Sequence, residues 1–73
     1  MTLNQLECFV VLAQRLNFTQ AAEALFMAQP ALSRTISALE QELEVQLFYR
    51  NSRSVALTPA GTVFFKKCPK ILD

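Results

Sequence analysis

Histidine is absent from the 73 residues, glycine occurs once and cysteine twice. Without an imidazole, the common zinc spacings and every mechanism that needs a histidine base are excluded. A lone glycine leaves no glycine-rich loop to cradle phosphates. Cys8 and Cys68 stand sixty positions apart. They are expected to be inert packed thiols of a cytoplasmic protein, with a disulfide as the open alternative. No apolar run reaches the ~20 residues of a membrane span. Met1 to Gln5 contains no basic segment leading into an apolar one, so no secretory signal is expected. There is no internal repeat, no low-complexity stretch and no nucleophile matched to a base, so neither enzymatic activity nor a metal site is expected.

What the chain does have is apolar surface. Hydrophobic residues make up 52% of it, more than one small domain can hide, so part is expected to be covered by a partner subunit. The net charge of +1 conceals a division. Up to residue 44, Arg15 and Arg34 stand against five glutamates; beyond it, Arg50, Arg53, Lys66, Lys67 and Lys70 stand against Asp73 alone. Charge that could face phosphates is therefore supplied late in the chain.

Thr2 and Gln5 have the spacing of a capping box, opening a first helix that runs to about residue 16. Leu3, Leu6, Phe9, Val10, Ala13 and Leu16 form its apolar stripe, and Cys8 and Val11 lie on the other side. Such a helix is expected to touch the domain core on one face and a partner helix on the other. Thr19 is the expected N-cap of a second helix, kept slim by Ala21, Ala22 and Ala24. Phe26, Met27 and Ala28 allow only a tight turn before Pro30 opens a third helix.

At about 100° per residue, Leu32, Ile36, Leu39 and Leu43 fall on one stripe of that third helix, over residues 30–43. Pro30, Arg34, Ser37 and Gln41 lie opposite, with Gln29 and Ser33 on the flank. A helix buried along one side that presents Gln, Ser and Arg on its first turns suits reading of the DNA major groove. Arginine can fork onto guanine, glutamine can pair with adenine, and serine can serve either. Helix, short turn and helix is the unit many DNA readers use.

After Leu43 the period changes. Val45 to Tyr49 and Val55 to Leu57 are β-prone runs around Arg50-Asn51-Ser52-Arg53-Ser54, read as a two-stranded wing over 49–55 with a basic tip. A solvated surface loop is the plainer alternative. Thr58-Pro59 then starts a fourth helix, which Pro69 is expected to end or kink near Cys68. The apolar stretch that stops at Asp73 reads as the start of something longer.

Taken in order, Phe-Thr-x-Ala-Ala, Gln-Pro-Ala-Leu-Ser-Arg, Leu-Glu-x-Glu-Leu, Leu-Phe-x-Arg and Leu-Thr-x-Ala-Gly resemble the N-terminal domain of LysR-type transcriptional regulators. The match runs from about Leu3 to Leu72. The resemblance implies a mainly α fold, a winged helix-turn-helix with a three-helix core and a two-stranded β wing over 1–58. Residues 59–73 would begin a linker helix that pairs with its twin. It places Gln29, Pro30, Ser33 and Arg34 at the bases of the major groove, and Thr19, Ser37, Arg50 and Arg53 at the DNA backbone or wing. Val63, Phe64 and Ile71 are its dimer candidates. It further implies double-stranded DNA as partner, a homodimer with higher oligomers in the full-length protein, and a small-molecule inducer on a C-terminal domain. The alternative on the same fold is a protein-interaction module that does not bind DNA.

Four departures from the family pattern stand out. Glu44 replaces the usual glycine after the third helix, implying strain or a different exit. Ala28 replaces a capping Ser or Thr. Asn51-Ser52 takes the place of glycine at the wing tip, Asn51 being the better candidate for a left-handed turn. Pro69 interrupts the linker helix.

Overall fold

A computed structural model describes the backbone of residues 1–51 and 54–72, and side chains in that range through Cys68. The elements in chain order are α1 (Leu3–Arg15), α2 (Phe18–Ala24), α3 (Gln29–Leu43), β1 (Phe48–Arg50), β2 (Val55–Leu57) and α4 (Pro59–Leu72).

The expected capping box opens α1: Gln5 N–H donates to Thr2 Oγ1 at 3.1 Å and Thr2 N–H to Gln5 Oε1 at 3.0 Å. The stripe drawn along this helix needs correction. Leu3 and Leu16 are exposed, whereas Cys8 and Leu12 are fully buried beside Leu6 and Phe9. The reason is that α1 touches α2, α3 and α4 of its own chain; Phe9 meets the aromatic rings of α4, and the Cys8 thiol donates to Met27 Sδ at 3.8 Å. Phe9 lies 4.9 Å from Phe64, 5.4 Å from Phe48 and 6.2 Å from Phe65, measured between ring centroids.

Thr19 does not cap α2. Asn17 does, its backbone extended and its Oδ1 accepting the Gln20 N–H at 2.9 Å. A side chain two positions earlier takes one free donor of the first turn, and Thr19 lies exposed inside the helix. Ala21 and Ala22 are buried, letting the neighbouring helices approach closely, but Ala24 is exposed. The turn to α3 passes through Phe26, at a φ of 56° and 96% exposed. As expected from Ala28, α3 begins without a side-chain cap. It starts one residue early, at Gln29, and buries Leu32, Ile36 and Leu39.

Glu44 ends α3 in the left-handed region, at φ 58° and ψ 32°. A side chain there costs about 1–2 kcal/mol that glycine avoids. Glu44→Gly is therefore expected to stabilise the domain by about 1 kcal/mol, raising the thermal midpoint by roughly 4–8 °C. A circular-dichroism melt showing no rise would remove strain as the description of this turn.

The wing is antiparallel, with Phe48 opposite Leu57, Tyr49 opposite Ala56 and Arg50 opposite Val55. Its first strand is shorter than the β-prone run from Val45 implied. The Leu47 and Phe48 amides are taken by the Glu40 carboxylate instead of a neighbouring strand. Asn51 is not left-handed; among the described residues only Leu16, Phe26 and Glu44 are. It closes the turn through its side chain, Oδ1 accepting the Ser54 N–H at 2.7 Å.

Thr58 opens α4 as anticipated. Its Oγ1 accepts the Gly61 N–H at 2.9 Å and its hydroxyl donates to the Gln46 carbonyl at 2.6 Å. Pro69 does not end this helix, which runs to Leu72.

Candidate nucleic-acid interface

Burial of Leu32, Ile36 and Leu39 sets the rotation of α3 about its axis, and with it the residues that face outward. Gln29, Pro30 and Arg34 are exposed; Ser33 is half-buried. Gln29, Pro30 and Ser33 border one shallow recess together with Phe18. Arg34 stands apart from them beside Thr2 and Asn4 of the α1 start. It makes no ion pair among the described residues. The predicted base-reading set therefore sits on the first two turns of α3, with Pro30 and Arg34 opposite the core stripe and Gln29 and Ser33 on its flank.

A second recess joins three elements. Thr19, Gln29, Asn51 and Ser54 border it, so the start of α2, the start of α3 and the turn of the wing meet at one edge. Sequence spacing could not have placed Asn51 and Ser54 beside Gln29, because the juxtaposition depends on how the wing folds back.

Arg50 occupies a different place from the basic tip assigned to it. It is the last residue of β1, and its guanidinium lies against α3 and the start of α2. Nη2 donates to Glu40 Oε1 at 2.6 Å, Nη1 donates to Ser37 Oγ at 3.4 Å, and Cζ lies 5.6 Å from the Phe18 ring centroid. Ser37 and Arg50 are thus brought together, but around Glu40, which no motif or spacing in the sequence singled out as part of the site. Glu42 is also engaged, pairing with the amino group of Met1. Arg53 lies outside the described residues.

The proposed dimer residues lie elsewhere. Val63 is 55% exposed. Phe64 is half-buried, with its ring edge-on to Phe9. Both border an apolar recess with Leu43, Val45 and Leu47. The Ile71 side chain lies outside the described residues.

Both cysteines are free and buried. Burial pushes both thiols above their ordinary value, with the Glu7 charge adding to the effect at Cys8. They stay protonated and unreactive at neutral pH. Among the described residues no group of histidine, cysteine and carboxylate side chains could hold a metal ion. No helix among them is long and apolar enough to cross a membrane.

Residues 3–62 match the family described as bacterial regulatory helix-turn-helix protein, LysR family. A probable cat1 operon transcriptional activator of Acinetobacter lwoffii is 50% identical over 72 residues, covering 99% of this chain and 24% of that protein. The transcriptional regulator BenM of Acinetobacter baylyi is 46% identical over 73 residues, covering all of this chain and 24% of BenM. The present chain thus spans about a quarter of the length of these relatives. In a crystal structure of the BenM DBD with catB site 1 DNA, the protein superposes with a TM-score of 0.94 at 46% identity, covering 99% of this chain and 80% of that one. Full-length CbnR with its target DNA gives a TM-score of 0.94 at 38% identity, over 99% of this chain and 25% of that one. With the winged helix-turn-helix in place and the match extending from α1 into α4, the chain belongs to the LysR family of bacterial regulatory helix-turn-helix proteins.

Proposed function

We propose that this chain is the DNA-reading part of a bacterial transcriptional regulator and binds double-stranded DNA sequence-specifically. The observation that carries the reading is the division of α3. A fully buried Leu32, Ile36 and Leu39 stripe anchors it, exposed Pro30 and Arg34 lie opposite that stripe on its N-terminal turns, and exposed Gln29 lies on the flank. That end enters the major groove, with Ser33 completing the base-facing set. Thr19 and Arg53 lie along the sugar–phosphate backbone, where contacts set register without reading sequence. Ser37 and Arg50 belong to the same interface through the part they play beside Glu40. The relatives in complex with DNA, BenM and CbnR, support the reading.

In this reading residues 1–58 are the DNA-binding module and 59–73 begin a linker helix. Val63, Phe64 and Ile71 contribute to a homodimer that sets two recognition helices about 34 Å apart. Further regions of a longer cytoplasmic protein supply inducer binding and higher assembly, and no catalytic step is involved.

The test is fluorescence anisotropy with a labelled duplex that the chain itself enriches from a random pool, against a scrambled duplex of equal length. Preferential binding is expected, weakening about 10³-fold or more between 50 and 200 mM salt if some six phosphates are neutralised. Failure to enrich or bind any duplex at low salt, with salt-insensitive capture of a protein partner instead, would transfer the chain to the protein-interaction reading.

A further inference from the structure

The Glu40 carboxylate is one turn below Ser37 on α3, and it has three donors. Oε2 accepts the Leu47 N–H at 2.7 Å and the Phe48 N–H at 3.2 Å; Oε1 accepts Arg50 Nη2 at 2.6 Å. One side chain of the recognition helix thus holds the entry to β1 and the far end of the same strand. The Glu40 side chain is only 13% exposed and that of Arg50 29%, so neither behaves as a freely solvated surface group. Arg50 extends the tie with its second nitrogen on Ser37 and its cation near the Phe18 ring, at the start of α2. Three elements that border the proposed DNA surface are joined through one ion pair.

The charges make a second point. Glu40 and Arg50 cancel, so the pair presents no net cation to a phosphate. An arginine kept for phosphates is better placed without a carboxylate at 2.6 Å, since the acid both competes for the guanidinium and repels DNA. A carboxylate held beside a polyanion's binding surface has a use only if it sets geometry.

We propose that Glu40 is a positioning residue of the DNA interface. Through Arg50 and the Leu47 and Phe48 amides it fixes where the wing stands relative to the recognition helix, and Arg50 acts through Glu40 instead of neutralising a phosphate. The inference rests on the DNA-binding reading.

Sign and salt dependence separate the two roles. Glu40→Gln keeps the shape and an acceptor oxygen for the amides but removes the charge that holds Arg50. Arg50→Gln keeps both amide bonds. If the pair positions the wing, each variant weakens binding to the enriched duplex about ten-fold, the size of one charge-assisted hydrogen bond. The slope of log affinity against log salt stays unchanged, and the double variant loses little more than either single one. Hydrogen exchange at the Leu47 and Phe48 amides speeds up in Glu40→Gln, while amides of α1 keep their protection. If Arg50 instead grips a phosphate, Glu40→Gln tightens binding and Arg50→Gln lowers the slope by about 0.9 per protomer, or about 1.8 for a dimer. Either of those results overturns the proposal, as does a Glu40→Gln protein that binds and exchanges like the parent. The parent protein binding no duplex at all refutes the DNA-binding reading and this inference with it, whereas the results above overturn the inference alone.

Discussion

Gly61→Ala is expected to destabilise the domain by about 3 kcal/mol, near the upper end of what overpacking costs. The added methyl carbon would lie 2.1 Å from the Leu47 carbonyl oxygen and 3.0 Å from its carbon. Both are backbone atoms and neither can swing away as a side-chain end could. The same carbonyl accepts the Thr58 N–H at 3.0 Å, so moving it would also disturb the start of α4. Leu57 Cδ2, at 3.0 Å, closes another direction. On an open helix the substitution would stabilise by about 1 kcal/mol through helix propensity, so the prediction reverses the ordinary sign. Total stability for a chain of this length is about 4–11 kcal/mol, so the loss is a large part of it. The thermal midpoint should fall by roughly 12–24 °C. A midpoint equal to or above the parent's would mean that α4 does not approach the wing as closely as described.

The second large effect is on recognition. Arg34→Ala should cut affinity for the enriched duplex about 100-fold, at roughly 1–3 kcal/mol for each bidentate base contact and two such contacts in a dimer. Binding to the scrambled duplex should change little, so the ratio between the two collapses. The melting temperature should stay near the parent's, because Arg34 is exposed and has no ion pair among the described residues. An equal loss on both duplexes, with the salt slope reduced by about 1.8 for the two arginines of a dimer, would reassign Arg34 to a phosphate.

The two substitutions probe different kinds of information. Arg34 was identifiable from the chain because its placement follows from local periodicity. Once Leu32, Ile36 and Leu39 face the core, the residue at Arg34 must face away. Gly61 stands within a recognisable Leu-Thr-x-Ala-Gly run, but the reason glycine is needed there is a carbonyl fourteen positions earlier. No window along the chain contains both.

Local competition produced the smaller errors. Asn17 and Thr19 both have capping side chains, and only the direction in which the chain leaves α1 selects Asn17. Leu16, left-handed at φ 52°, turns the backbone so that Asn17 is extended when α2 begins. Pro69, expected to end or kink α4 because a proline in a helix removes a donor and crowds the preceding turn, does not end it; the helix continues to Leu72.

The arrangement at Glu40 lay furthest from view. Three glutamates follow one another at alternate positions from 40 to 44, and although Glu44 stands at the helix exit, nothing local separates Glu40 from Glu42. Folding gives them three fates: Glu40 binds the wing, Glu42 pairs with the amino terminus, and Glu44 ends the helix in a left-handed turn.

The order of elements, the buried stripe of α3, the capping of α1 and α4, and the outward Gln29, Pro30 and Arg34 were determined by the sequence alone. Each depends on residues within a few turns of one another. Closure of α4 over α1, the approach of Gly61 to Leu47, and the joining of Ser37, Glu40 and Arg50 were decided by tertiary structure. These contacts cross between elements, and such contacts arise from how whole helices and the wing pack, which no local period encodes.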